Sequence, residues 1–188
     1  MANRLCVEFT VSGLRKILEF RNDVSGWGTG EALTVEAFYA EILNGESILC
    51  IEESGLFRKL RIVKLIIEDP ERGTLLEDYQ ILPDGRRKNR QQTPGGKIGA
   101  NESPEAAVIR EMNEELDLRE AAYQFYLGEP YTEEKASKSY PNLRSVYEIY
   151  PAHITFFAHT NKLIQDGYNT VDKEDGKKKL FFKWSGKK

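Results

Sequence analysis

The sequence predicts an α/β fold of the α+β type, in which a β-sheet packs against helices. Several short segments rich in branched and aromatic residues are separated by turn residues, a pattern typical of strands. Among them lies one helical segment with a strong start at Ser103-Pro104, because serine can cap a helix and proline lacks the amide hydrogen that the first turn leaves unpaired. Strands that flank one strong helix indicate either α+β or a mixed α/β sandwich.

The predicted elements follow in order along the chain. Residues 1–55 contain two short helices, and Thr34 is expected to cap the second. One face of that helix would carry Val35, Phe38, Tyr39, Ile42 and Leu43. The predicted strands are residues 59–69, 74–82, 121–127, 145–158 and 179–184, with turns at 70–73 and 83–85 and a long loop at 128–150. We therefore expect an N-terminal accessory segment, residues 1–55, packed on a core domain of residues 56–188.

The composition is that of an ordinary globular protein. The 188 residues include 27 Lys and Arg against 30 Asp and Glu, 40% are hydrophobic and two are Cys, a composition that excludes a wholly disordered chain or a disulfide scaffold. No apolar run approaches the roughly 18–20 residues of a membrane span, and Glu8 precedes any secretory apolar core. Cys6 and Cys50 lack metal or redox spacing and are expected as buried or free thiols. A cytoplasmic protein is the expectation.

Charge is segregated along the chain. A basic loop is predicted before position 98, with no acid after Asp84; its cations are Arg86, Arg87, Lys88, Arg90 and Lys97. Residues 102–120 then hold seven acids against two arginines, and residues 173–188 hold seven lysines against two acids. A basic loop beside an acidic helix suits a site that holds both phosphates and metal ions.

The predicted helix at 104–116 concentrates carboxylates on one face. Glu111, Glu114 and Glu115 lie three or four residues apart and would repel one another, so they require a counter-charge. Arg110 can pair with Glu114 or Glu102, and a hard divalent cation with oxygen ligands can neutralise the remainder. The opposite face would dock on the sheet through Ala107, Ile109, Met112 and Leu116. A solvated acidic face is the alternative interpretation.

The spacing of this segment resembles a family signature. Gly96 is followed by five residues, Glu102, seven residues, and then the run Arg110-Glu111-Met112-Asn113-Glu114-Glu115. This arrangement resembles the box of the Nudix hydrolase family, which it matches from Gly96 to Leu118 except at Asp117, where the family pattern has glycine. That glycine closes the helix in a left-handed conformation, and Asp tolerates this conformation better than most residues.

The resemblance implies a fold, an activity and a site. Nudix enzymes have a mixed sheet sandwiched between helices, with the box as a loop–helix–loop, and they hydrolyse a nucleoside diphosphate linked to another moiety. By similarity, Glu111 and Glu115 are the principal Mg²⁺ or Mn²⁺ ligands, and Glu114 is a further ligand or a water-orienting base. The Gly96 carbonyl adds an oxygen. Arg110 completes the catalytic set, and Glu102 braces the box.

Substrate contacts are expected outside the box. Arg86, Arg87 and Arg90 can donate to phosphates, and Tyr131 can stack on a nucleobase, although a solvated hairpin tip is an equal alternative for the arginines. A small nucleotide derivative, a nucleotide sugar such as ADP-ribose or a dinucleotide, is the expected partner. The distances of Pro130 and Tyr131 from the end of the box fit the patterns of two substrate classes loosely, and they do not distinguish between the two classes.

Further site residues stay open at the level of sequence. An additional base could come from Glu133, Glu134 or Glu148. His153 and His159 lie six apart on a predicted strand and so on one face, where packing is favoured over a two-histidine metal site.

Two other functions compete with a small-molecule hydrolase. The basic loop and the C-terminal lysines would also suit an RNA-directed Nudix enzyme of the decapping type, although nucleic acid is not the expected partner. A non-catalytic nucleotide-binding module is the other alternative, and the complete set of box carboxylates argues against it. Residues 1–55 could serve in dimerisation, giving a homodimer, or cover the substrate pocket.

Overall fold

A computed structural model of the chain describes residues 9–53, 55–173 and 176–186. Cys6 lies outside them. The helices are α1 (Val11–Arg21), α2 (Val35–Leu43), α3 (Pro104–Leu116) and α4 (Ala158–Leu163). The strands are β1 (Ile48–Glu52), β2 (Gly55–Asp69), β3 (Gly73–Ile81), β4 (Arg87–Gln92), β5 (Tyr123–Leu127), β6 (Tyr131–Ala136), β7 (Arg144–Phe156), β8 (Asn169–Val171) and β9 (Lys179–Trp184). The predicted α+β class is confirmed.

The chain divides into two compact units. The first comprises residues up to 61 together with 132–148, and the second comprises residues 62–131 together with those from 149 onwards. The predicted boundary between residues 55 and 56 stays a prediction. Among the described residues, no helix combines the length and the apolar character that crossing a membrane requires.

The first unit contains both N-terminal helices. The hydroxyl of Thr10 accepts the Gly13 amide and that of Thr34 accepts the Ala37 amide, so each threonine caps its helix, as predicted for Thr34. The apolar core of the unit consists of Leu14, Leu18, Trp27, Val35, Phe38, Leu56, Tyr140 and Leu143. Leu43, which the sequence predicts on the packed face of α2, is 63% exposed, because it lies about 140° around the helix from Phe38.

The second unit is built on antiparallel strand pairs and α3. The strand order is β5-β7-β2-β3-β9-β8, and β4 pairs with β3. Hairpin β2–β3 places Asp69 opposite Gly73 at the predicted turn. Helix α3 packs into the core of this unit, and its buried apolar residues are Ala107, Val108, Met112 and Leu116. Val108, rather than the predicted Ile109, completes the buried face.

Two segments predicted as loops are strands. Residues 87–92 form β4, which pairs antiparallel with β3, and residues 131–136 form β6, which pairs with β7. Both are almost entirely polar and largely exposed, so they lack the alternation of apolar residues from which strands are predicted. Backbone pairing with a neighbouring strand forms these elements, and the side chains contribute little packing.

Candidate functional site

Helix α3 begins and ends as its sequence predicts. Ser103 caps it by accepting the amide of Ala106 at 3.2 Å, and Pro104 occupies the first turn. The helix ends at Asp117, whose φ of 52° lies in the left-handed region. The expectation that an aspartate can close the helix where the family pattern has glycine is confirmed.

Arg110 joins the carboxylates of the helix. Its Nε and Nη2 donate to the two oxygens of Glu102 at 2.8 and 3.0 Å, and its Nη1 donates to Glu111 at 2.7 Å and Glu114 at 2.9 Å. Nη2 also donates to the Lys97 carbonyl. The hydrogen bonds to Glu102 and the charge of Glu111 raise the pKa of Arg110 above its already high usual value. The predicted contacts with Glu102 and Glu114 are therefore present, and Glu111 is a third partner.

The glycine loop before α3 fits closely around two carboxylates. Gly95 has φ 141°, and its amide donates to Glu115 Oε2 at 3.0 Å. Gly96 has no room for a side chain, because a Cβ there would collide with the carboxylate of Glu111. Its carbonyl accepts the Val63 amide at 2.9 Å and keeps a second lone pair. A backbone hydrogen bond thus fixes the loop to β2. Gly96 leaves space for the Glu111 carboxylate, and the Gly95 amide binds the Glu115 carboxylate.

Four acidic residues of the second unit form a group, in which three buried carboxylates lie close enough to the fourth for their charges to raise its pKa. We call this set the acidic cluster; it consists of Glu77, Glu111, Glu115 and Asp172. Burial raises the pKa of Glu115, and the charges of Glu111, Glu77 and Asp172 raise it further, while the Gly95 amide lowers it. The charges of the three neighbouring carboxylates thus oppose ionisation of Glu115.

Two members of the cluster were not predicted from the sequence. Glu77 follows buried Leu75 by two residues on β3 and is 1% exposed, so strand alternation could have placed it on the inner face. Asp172 lies just after the three-residue strand β8 and is 5% exposed. A strand of that length gives no pattern from which its buried position could be predicted.

The balance of charge decides whether these residues fit a cation. Glu77 pairs with Arg90 at 3.0 Å and Asp172 with Lys178 at 2.5 Å, and Arg110 is shared among three glutamates. Glu115 has the Gly95 amide as its hydrogen-bond donor and no cationic partner among the described residues.

Among the described residues, no group of three or more His, Cys, Asp or Glu side chains is arranged to hold a metal ion. The surplus of charge and the oxygen donors nevertheless fit a divalent cation.

The predicted substrate residues have different surroundings. Arg86 pairs with exposed Asp84 at 2.7 Å beside the β3–β4 turn, and the guanidinium of Arg87 lies 3.7 Å over the ring of Tyr79. Arg90 is bound to Glu77 of the acidic cluster. Tyr131 begins β6 and is 43% exposed.

The outlying acids and histidines lie elsewhere. In the first unit, Glu133, Glu134 and Glu148 face Lys135, Arg144 and Lys59 respectively. In the second unit, His153 stacks on Tyr126 with ring centroids 4.8 Å apart. His159 belongs to α4, so the prediction that both histidines share one face of a strand is wrong, because β7 ends at Phe156.

A family model and several solved structures are similar to this chain. The NUDIX domain matches residues 59–177, which is more than half of the chain. A hydrolase of the NUDIX family from Clostridium perfringens has 20% identity and a TM-score of 0.37, covering 67% of this chain and 80% of that one. MutT from Aliivibrio salmonicida and Vibrio cholerae has 21% identity and a TM-score of 0.33, covering 68% and 80%.

The E. coli ORF135 protein has 23% identity and a TM-score of 0.31, covering 54% of this chain and 68% of that one. A search of curated proteins finds no match. The domain match carries the assignment, since it spans the glycine loop, α3 and the strands around them. The chain belongs to the NUDIX domain family and is a hydrolase that acts on pyrophosphate bonds.

Proposed function

We propose that the chain is a divalent-metal-dependent pyrophosphohydrolase that cleaves a nucleoside diphosphate linked to another moiety. The observation that carries this proposal is the uncompensated charge at Glu115, which shares its surroundings with Glu77, Glu111 and Asp172. A half-buried acid among other carboxylates is costly when no cation among the described residues neighbours it, and a protein that keeps such an acid at a family's signature position has a use for the charge.

The metal would be Mg²⁺ or Mn²⁺. Glu111, Glu115 and Glu114, together with the Gly96 carbonyl, would hold it, since carboxylate and carbonyl oxygens are the donors that hard cations prefer. When bound, such an ion neutralises phosphate charge and lowers the pKa of coordinated water. The free lone pair of the Gly96 carbonyl is compatible with this role.

The protein's own groups orient the reaction. Arg110 is a positioning residue, because its guanidinium fixes the carboxylates of Glu111 and Glu114 and holds them to the loop through Glu102 and the Lys97 carbonyl. Glu114 keeps a 23% exposed side chain and is the proposed base that accepts a proton from the attacking water.

The proposed substrate is ADP-ribose or a dinucleotide. Arg86, Arg87 and Arg90 would donate to its phosphates, and Tyr131 would stack on its base. All three arginines lie on or beside the β3–β4 hairpin, and the half-exposed ring of Tyr131 offers a face to a ligand. The cytoplasmic location and the homodimer stay predictions.

The test is a panel of nucleotide derivatives with product identification. Purified full-length chain would be incubated with Mg²⁺ or Mn²⁺ and with ADP-ribose, other nucleotide sugars, dinucleotides, nucleoside triphosphates and capped RNA. We expect hydrolysis of a nucleotide sugar or dinucleotide at the pyrophosphate bond and none after chelation. Turnover of capped RNA alone, or turnover that survives chelation, would contradict the proposal.

A further inference from the structure

A β-bulge turns two polar side chains of β3 to the same side of the sheet. Against β9, Glu77 lies opposite Phe182, whereas Tyr79 lies opposite Phe181, so β3 contains one extra residue. In a regular strand, Glu77 and Gln80 would face opposite sides, because side chains alternate. With the bulge, both are buried, and Gln80 Nε2 donates to Glu77 Oε1 at 2.5 Å.

Strand β4 is irregular at the same place. Gln92 lies opposite Glu77 and Asn89 lies opposite Tyr79, so β4 has one residue more than β3 in this interval. Gln91, within it, adopts φ 54° and donates its side-chain amide to the Asp78 carbonyl. Gln91 is thereby held outside the regular ladder. Its neighbour Arg90 places Nε 3.0 Å from Glu77 Oε2.

Arg90 uses only part of its donor capacity. A guanidinium has five N–H donors, and Arg110 engages all three of its nitrogens with protein oxygens. Arg90 engages Nε alone, and within the described ranges its Nη1 and Nη2 have no hydrogen bond or ion pair. The side chain is 29% exposed, so it is open in part to solvent and to a ligand.

Arg90 lies beside the box both along the chain and across the sheet. It precedes Gly95 by five residues, and β3, which carries Glu77, neighbours β2, whose Val63 and Leu65 amides donate to the carbonyls of Gly96 and Pro94. Glu77, which holds Arg90, is near enough to Glu115 for its charge to raise the pKa of that residue. An arginine that served only to neutralise buried Glu77 would bind more strongly if it donated to both carboxylate oxygens. Here Gln80 donates to the other oxygen, Oε1, and Arg90 donates to Oε2 through Nε, which leaves its Nη1 and Nη2 for another acceptor.

We infer that Glu77 is a positioning residue that holds Arg90 so that Nη1 and Nη2 together bind a phosphate group of the diphosphate substrate. The inference rests on the proposed function, because it assigns the phosphate contact within that site. Two parallel N–H donors on a rigid plane match two phosphate oxygens, which a lysine cannot do. Arg90 differs from Arg86 and Arg87 in its anchor, because Arg86 pairs with exposed Asp84 and Arg87 lies over Tyr79, whereas Arg90 is held by buried Glu77 of the acidic cluster.

Binding of magnesium pyrophosphate to the full chain, measured by calorimetry, tests Arg90 without requiring turnover. We expect Arg90→Ala to weaken binding about ten- to a hundredfold, the usual loss for hydrogen bonds to a charged group. Arg90→Lys should remain weaker than wild type, because it keeps the charge and loses the fork. Arg15→Ala, which removes an exposed arginine paired with Glu36, is the control and should bind like wild type.

A double-mutant cycle tests whether Glu77 acts through Arg90. Glu77→Gln alone should weaken binding, whereas in the Arg90→Ala background it should change the dissociation constant no further. The double variant removes both charges and so leaves no unpaired buried carboxylate that would endanger folding. With ADP-ribose and Mg²⁺, the Arg90 variants should raise KM more than they lower kcat.

Three outcomes would overturn the inference: no binding of magnesium pyrophosphate by the wild type, wild-type affinity in Arg90→Ala, or independent effects of the two substitutions. Failure of the proposed function gives a different result. If the wild type binds magnesium pyrophosphate through Arg90 but hydrolyses no nucleotide, the phosphate contact stands and the proposed activity does not.

Discussion

Two groups of charged side chains in this chain are built in opposite ways. In the first unit, Glu41 and Arg58 form an ion pair at 3.1 Å, with side chains 9% and 4% exposed. Glu41 also accepts from the hydroxyls of Ser47 at 2.6 Å and Tyr140 at 2.9 Å, and Arg58 Nε donates to Ser145. In the second unit, Glu115 has neighbouring carboxylates and one backbone amide.

The difference separates a structural group from the group that we propose to be functional. One positive and one negative charge meet at Glu41, and the surrounding hydroxyls complete the carboxylate's hydrogen bonds, so nothing remains for a ligand to satisfy. Burial and the nearby charge of Glu41 raise the pKa of Tyr140, which keeps its donor proton. In the acidic cluster, by contrast, Glu115 has no cationic partner among the described residues. Unbalanced charge, rather than burial alone, is what distinguishes the proposed site.

Breaking the balanced group should have the largest effect on stability. Glu41→Ala leaves the Arg58 guanidinium buried without its partner, and we expect a loss of about 3–5 kcal/mol in the free energy of unfolding. Urea denaturation measures it. Glu36→Ala, which breaks the exposed pair with Arg15, is the control and should cost no more than about 1 kcal/mol. A loss of that smaller size for Glu41→Ala would show that the buried group is not structural.

Removing a charge from the unbalanced group should lower activity without lowering stability. Glu115→Gln keeps the shape and the contact with Gly95 but deletes an uncompensated charge, so the metal-free chain should be as stable as wild type or more stable. Its kcat should fall at least about a hundredfold, since even residues that only support metal ligands cost 10- to 100-fold. Thermal unfolding and turnover of the best panel substrate measure the two effects. A stability loss together with a retained kcat would reverse the comparison.

The close fit of the glycine loop should be the next most sensitive feature. Gly96→Ala forces a methyl group against the Glu111 carboxylate, which we expect to cost about 1–3 kcal/mol and to lower kcat by displacing that carboxylate. Gly26→Ala is the matched control, because a Cβ there meets nothing within 4 Å. Circular dichroism melts and initial rates of both variants make the test. Equal behaviour of the two would remove the steric argument for glycine at position 96.

The sequence predicts the site better along the helix than across the sheet. Ser103, Arg110 and Asp117 act within one segment, where cap chemistry and i, i+4 spacing determine their contacts, and the structure has them as predicted. Glu77 and Asp172 become neighbours of Glu115 through strand pairing between residues distant in sequence. Spacing along the chain does not encode that pairing, and a bulge such as the one at Asp78 reverses which side chains point inward.

A balanced carboxylate within the second unit sharpens the contrast with Glu115. Hydrogen bonds from Arg72, and then from Asn161 and two backbone amides, hold the pKa of Asp69 well below its usual 3.8. A carboxyl group whose pKa is lower in the folded than in the unfolded chain stabilises the fold at pH values above its unfolded-state pKa. This stabilisation is lost as the pH falls through the folded-state pKa.

Asp69→Asn should therefore be less stable than wild type by about 1–3 kcal/mol at pH 7, and the gap should narrow as pH falls below about 3.8. Chemical denaturation at several pH values measures it. A gap that is constant with pH would mean that the carboxylate charge contributes nothing.

The smallest expected effect concerns the end of α3. Asp117 adopts the left-handed conformation at φ 52° and forms an ion pair with Lys173, both side chains being largely exposed. Asp117→Gly relieves roughly 1 kcal/mol of backbone strain and gives up an ion pair worth at most about 1 kcal/mol, so stability should change by less than about 1 kcal/mol.

Asp117→Ala loses the ion pair and keeps the strain, and it should be the less stable of the two variants in urea denaturation. Turnover should be unaltered in Asp117→Gly, because the substitution restores the residue of the family pattern at a position outside the acidic cluster. A marked fall in kcat would instead place Asp117 within the site and extend the unbalanced charge to the end of the helix.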